Sequence, residues 1–71
     1  MRFRVSLQER KMRNSGNYDR YWIILDSKCR NFIVLRVNVT YPQAENRARA
    51  YCQFLNEFDP PPSGAETRWE A

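Results

Sequence analysis

Two apolar runs lie only five residues apart in this chain. Arg20-Tyr-Trp-Ile-Ile-Leu-Asp26 and Phe32-Ile-Val-Leu-Arg-Val-Asn-Val39 are rich in aromatic and β-branched side chains, and Ser27-Lys-Cys-Arg-Asn31 separates them. Runs of that composition bounded by turn residues form strands, and so short a gap joins them as an antiparallel hairpin. The hairpin is apolar on both faces. Tyr21, Ile23 and Leu25 alternate with Trp22 and Ile24; Ile33, Leu35, Val37 and Val39 alternate with Phe32, Val34, Arg36 and Asn38. A sheet with one solvated face alternates more cleanly. A slip of one residue in the turn exchanges which faces pair, and both registers remain open.

Only one helix follows to cover them. After residue 39 the apolar period changes from two to about 3.6. Ala44, Ala48, Tyr51, Leu55 and Phe58 recur on one helical face, with Arg47, Arg49, Gln53 and Asn56 facing water. Thr40 is the expected N-cap, with Gln43 three residues on and Pro42 in the first turn. Pro60, Pro61 and Pro62 end the helix, and Asp59 reads as a helix-end residue. Ahead of the hairpin, Phe3, Val5 and Leu7 alternate with Arg2, Arg4 and Ser6 as in a half-buried strand. Residues 8–18 read as a polar, flexible connection with a turn cluster at Asn14-Ser15-Gly16-Asn17. The expected fold is α+β: a three-stranded antiparallel sheet packed on one C-terminal helix, order βββα, as a single domain over 1–59. A Pro-rich extended tail, 60–71, carries Trp69.

The residue inventory excludes most chemistry. The chain has 71 residues and no histidine, so the usual base near neutral pH is missing. Its eight carboxylates are scattered, and no glycine-rich phosphate loop is present. Two cysteines, Cys29 and Cys52, are too few for a structural zinc site and are expected to be reduced thiols. The expectation is a non-enzymatic protein without cofactor or metal. No apolar run approaches the roughly 20 residues that span a bilayer, and the first residues have no apolar signal core. A soluble cytoplasmic protein with no membrane partner is therefore expected.

Binding surfaces are the remaining source of function. Phe32 and Val34 are expected on the sheet face that the helix leaves uncovered, joined by Trp22 and Ile24 or by Ile23 and Leu25. Such a face is closed by the chain's own tail through Trp69, by the 8–18 segment, by a second copy, or by a foreign protein. Charge is a second signal. Residues 1–36 carry a balance of +6 and residues 37–71 one of −2, and ten of the twelve basic residues are arginine. Arg2, Arg4, Arg36 and Asn38 are expected to share the uncovered face. Arg10, Lys11 and Arg13 sit on the connection beside it, and Lys28 and Arg30 at the hairpin tip. Arginines so arranged suit forked bonds to phosphate or carboxylate.

Two resemblances follow from these segments. Tyr21-Trp-Ile-Ile-Leu-Asp26, Phe32-Ile-Val-Leu-Arg-Val37, Gln43-Ala-Glu-Asn-Arg-Ala-Arg-Ala50 and Phe54-Leu-Asn56 resemble small ββα proteins of bacteriophages and prophages over residues 20–57. That group includes anti-CRISPR and other anti-defence inhibitors. The resemblance implies a stoichiometric inhibitor of a host protein or ribonucleoprotein complex in the host cytoplasm. Trp22, Phe32 and Val34 would then be the apolar anchor, and Arg2, Arg4 and Arg36 would orient it. The βββα order also resembles the arm-binding domain of phage tyrosine recombinases. That likeness implies a nucleic-acid-binding sheet with Arg2, Arg4, Arg36 and Asn38 toward DNA, and Arg10, Lys11, Arg13, Lys28 and Arg30 on phosphates. A structural homodimer or assembly factor is a third class.

Overall fold

The computed structural model describes residues 1–12 and 16–70. Four strands and one helix follow one another as β1 (Phe3–Lys11), β2 (Tyr18–Asp26), β3 (Phe32–Asn38), α1 (Ala44–Phe58) and β4 (Thr67–Trp69). The sheet order is β1-β2-β3-β4. β1, β2 and β3 are antiparallel, whereas β4 runs parallel to β3. The sheet is thus four-stranded and mixed rather than three-stranded and antiparallel, because the tail returns to pair with β3.

The hairpin register resolves through an irregularity that a strict period of two does not anticipate. Ile24 pairs with Leu35 but Leu25 pairs with Ile33, so β3 carries one extra residue, Val34. A bulge of this kind inverts the alternation beyond it. Cross-strand partners share a face. Trp22, Ile24 and Asp26 therefore face the helix with Leu35, Val37 and Phe32, and Val34 also packs against the buried cluster on that side. Tyr21, Ile23, Leu25, Ile33, Arg36 and Asn38 occupy the far face. The core lies between sheet and helix, with Phe3, Ile24, Leu35 and Val37 meeting Ala44, Ala48, Cys52 and Leu55. Burying each large aliphatic residue there contributes about 1.5–3 kcal/mol.

Several local features depart from the sequence expectations. β1 and β2 run on through residues 8–11 and 18–19, where a connection was expected, because Glu9↔Arg20, Arg10↔Asp19 and Lys11↔Tyr18 continue the ladder. Arg13, Asn14 and Ser15 lie outside the described residues. Thr40 does not cap the helix; its N–H and hydroxyl both donate to the Asn38 carboxamide, at 2.9 and 2.8 Å. Gln43 precedes the helix in a left-handed conformation with no side-chain cap. Cys52 takes the inward position expected of Phe58, which is 63% exposed. Asn56 does not face water. Its carboxamide accepts from Phe3 N–H at 2.8 Å and donates to the Phe3 carbonyl at 3.1 Å, tying helix to strand.

One ion-pair network fixes the corner where sheet, helix and tail meet. Asp26 is 2% exposed and accepts two bonds from Arg2, at 2.9 and 3.0 Å, and one from Lys28 N–H at 3.0 Å. Arg2 also donates to Asp59, the helix C-cap, at 2.7 Å and to the Pro60 carbonyl. The Arg2 guanidinium, and next the Lys28 amide, hold the Asp26 carboxyl below the usual carboxylate range, against the opposing effect of burial. A lowered folded-state value stabilises the fold above the unfolded value near 3.9, and this is lost as pH falls through the folded value. Asp26→Asn is expected to lower Tm at pH 7 by about 10 °C or more. In thermal melts from pH 7 to pH 2, the gap to wild type should narrow below about pH 4.

Candidate functional site

The exposed aromatic surface lies on the helix, not on the far face of the sheet. Residues 51, 54 and 58 flank the inward set 44, 48, 52 and 55, and spacings of three and four bring their side chains together along the axis. Phe54 stacks on Phe58 with centroids 5.6 Å apart and planes 7° from parallel. Tyr51 meets Phe54 at 6.0 Å and receives the edge of Trp69 at 5.4 Å and 78°. Trp69 stacks on Tyr41 at 6.1 Å, and the Arg47 guanidinium lies 5.3 Å from the Tyr41 ring centre. Five rings thus form one continuous ridge. Its Trp69 end is half-buried against the core, and its other end is open, with Phe54 52% exposed.

The ridge exists because the tail docks. Leu35↔Thr67, Arg36↔Arg68 and Val37↔Trp69 set the β3–β4 register. Trp69 therefore faces the helix, and Arg68 the far face. Trp69 does not plug the far sheet face as one sequence-level reading expected. Arg36 closes much of that face instead. It is 9% exposed, lies 5.4 Å over the Tyr21 ring, and its Nε is 2.7 Å from Glu66 Oε1. The pair is within ion-pair distance but outside hydrogen-bond geometry. Arg68 approaches the same carboxylate at 3.6 Å. A buried guanidinium without a counter-charge costs several kcal/mol, so Glu66 of the tail answers a demand created by Arg36. Ile23, opposite Arg36, is 6% exposed.

The expected partner-binding set is therefore split up. Trp22, Phe32 and Val34 share the helix side, where Trp22 packs against the core and lies 5.8 Å from the Arg49 guanidinium. Arg2 is committed to Asp26 and Asp59, and Arg36 to Glu66. Of the expected phosphate contacts, Arg4 is exposed and donates to Asn31 at 3.3 Å. Arg10 and Lys11 line a polar depression with Asp19 and Tyr21 near the end of the β1–β2 ribbon. Lys28 and Arg30 are exposed at the β2–β3 turn, and Asn38 holds Thr40. Arg13 lies outside the described residues.

Sequence periodicity underrated Phe54 and Phe58. Helical periodicity assigns Phe58 to the core face, and Cys52 rather than Phe58 turns inward, which leaves Phe54 and Phe58 exposed. Among the described residues no group of three His, Cys, Asp or Glu side chains could hold a metal ion, and no helix is long and apolar enough to cross a membrane. Both cysteines are free, and burial pushes the Cys52 thiol up from its ordinary value. No protein-family description, curated protein or solved structure gives a significant match to this chain.

If the open end of the ridge is surface rather than core, its removal leaves the fold intact. An aromatic pair contributes about 0.5–1.5 kcal/mol beyond its buried area. Phe54→Ser combined with Phe58→Ser is expected to shift Tm by no more than about 8 °C. Trp69→Ala, which opens the core margin and unseats the strand, should lower it by more. Thermal circular dichroism on the two variants distinguishes them.

Proposed function

We propose that this chain is a non-enzymatic binding protein that engages an apolar protein surface through the ridge Tyr51–Phe54–Phe58. The observation that carries the reading is the parallel stack of Phe54 and Phe58 on solvent-exposed helix. Two large rings held side by side lose little further side-chain freedom on binding, and aromatic anchors dominate interfaces of this kind. The resemblance to phage anti-defence inhibitors makes a host macromolecular complex the class of partner, bound stoichiometrically.

The ion-pair pattern weighs against the nucleic-acid reading. Arg2, Arg20, Arg36, Arg49 and Arg68 are each engaged by a carboxylate of this chain. Phosphate tracking needs several cations free at once, and each neutralised phosphate adds to the salt slope. Arg2 and Arg36, two of the residues expected toward DNA, are thus held inside the fold.

A photo-crosslinking benzophenone side chain at position 54, with position 28 at the exposed β2–β3 turn as control, tests the assignment in the cells that make the protein. Position 54 should yield one discrete adduct with a protein, lost on Phe58→Asp and kept on Arg10→Ala with Lys11→Ala. Equal adducts from both positions, or adducts with nucleic acid alone, would overturn it.

A further inference from the structure

The opposite flank of the helix carries a second, independent feature: an open strand edge with a groove beside it. β1 is the outermost strand and, among the described residues, pairs only with β2. The direction of its backbone groups follows from two contacts. The Arg2 carbonyl accepts from Ser27 N–H at 2.9 Å, so it points toward β2. Phe3 N–H and C=O meet the Asn56 carboxamide at 2.8 and 3.1 Å, so they point away. Alternation then aims the N–H and C=O of Val5, Leu7 and Glu9 outward too. Among the described residues only Asn56 occupies this edge, and it imitates a paired strand at one position.

Beside that edge lies a groove of about 400 Å³ between β1 and α1. Met1, Phe3, Val5 and Cys52 form its apolar floor, and Arg49, Gln53, Asn56 and Glu57 its helical wall, with Glu57 on the side away from Arg4 and Arg10, which stand on the far face of the strand. Leu7 continues the apolar line along β1 and is 46% exposed. We propose that the free edge of β1 accepts an extended peptide segment of a partner protein as a fifth strand, apolar opposite Val5 and Leu7 and acidic opposite Arg4 and Arg10. In such strand addition the backbone bonds supply affinity and alternate side-chain positions supply specificity.

Two cations without an ion-pair partner on the edge strand favour an acidic occupant, and they disfavour a second copy in the registers centred on Leu7 and Ser6. Arg4 and Arg10 have no acidic partner within ion-pair distance among the described residues, and both stand on the far side of the strand. If two β1 edges paired antiparallel about Leu7, Arg4 would stand opposite Arg10; about Ser6, Arg2 would stand opposite Arg10. Like charges directly opposite destabilise a sheet. Charged side chains on an edge are a recognised guard against self-pairing, and an acidic peptide satisfies the same charges. Asn56 ends the available register at Phe3.

The test is an amide NMR titration of the full chain with the acetylated peptide Glu-Lys-Thr-Val-Thr-Val-Glu, which places acids opposite Arg10 and Arg4 and valines opposite Leu7 and Val5. The amides of Val5, Leu7 and Glu9 should shift most and gain exchange protection, those of Phe54 and Phe58 least. Arg4→Glu with Arg10→Glu, both exposed, should weaken this peptide roughly tenfold and favour its Lys-for-Glu counterpart. Val5→Pro removes an outward N–H without touching the β1–β2 ladder, and should abolish binding while the core resonances stay in place. Equal affinity for acidic and basic peptides, shifts confined to the aromatic ridge, or no shift at millimolar peptide would overturn the proposal. So would a dimer that the acidic peptide dissolves, because the edge would then belong to a second copy.

Discussion

Asp26 is a carboxylate almost wholly removed from water, and the rest of the fold is arranged around satisfying it. Leaving it unpaired would cost several kcal/mol. Arg2 answers it with two donors, and Lys28 N–H adds a third. The same guanidinium also reaches Asp59 and the Pro60 carbonyl. One side chain thus joins the start of β1, the end of β2, the helix C-cap and the first residue of the tail. The helix C-terminus and the first proline of the tail are both held at that junction. The tail then runs back along β3, where Glu66 meets Arg36 and Trp69 meets the helix. A 71-residue chain has little core to spare, and in this one ion pairs supply the corner.

That arrangement decides which surface is left for partners. Arg36 is consumed on the far sheet face, where it lies over Tyr21 and against Glu66. Apolar surface that the hairpin would otherwise expose, Ile23 above all, is closed beneath it. On the helix the opposite occurs. Trp69 buttresses Tyr51, and Phe54 and Phe58 continue the line into solvent. The margin of the apolar helical face, where Tyr51 and Phe58 project beside Phe54, carries the exposed aromatics.

Much of the fold was legible in the sequence, and the misses share a cause. The hairpin, its turn, the C-terminal end of the helix and the proline stop were all set by local composition and period. Inward placement of Phe3, Ala44, Ala48 and Leu55 followed from the same patterns. What was not legible depends on contacts distant in sequence. Val34 as a bulge reverses the face of Ile33 and Phe32, and nothing local marks it. Arg2 reads as a surface cation until Asp26 and Asp59 are brought beside it, 24 and 57 positions away. The tail reads as extended coil until Arg36 and the β3 edge give residues 66–69 something to pair with. The site followed the same division: Phe54 and Phe58 were visible as aromatics, but their exposure depends on Cys52 taking the inward position.

The central claim is that the helix ridge is open to solvent and the far sheet face is closed. Relaxation enhancement by a soluble, neutral nitroxide reads both at once on one sample. The account predicts strong broadening of the Phe54 and Phe58 ring protons and little at the Ile23 methyl groups. Strong broadening at Ile23 with protected Phe54 and Phe58 rings would contradict it.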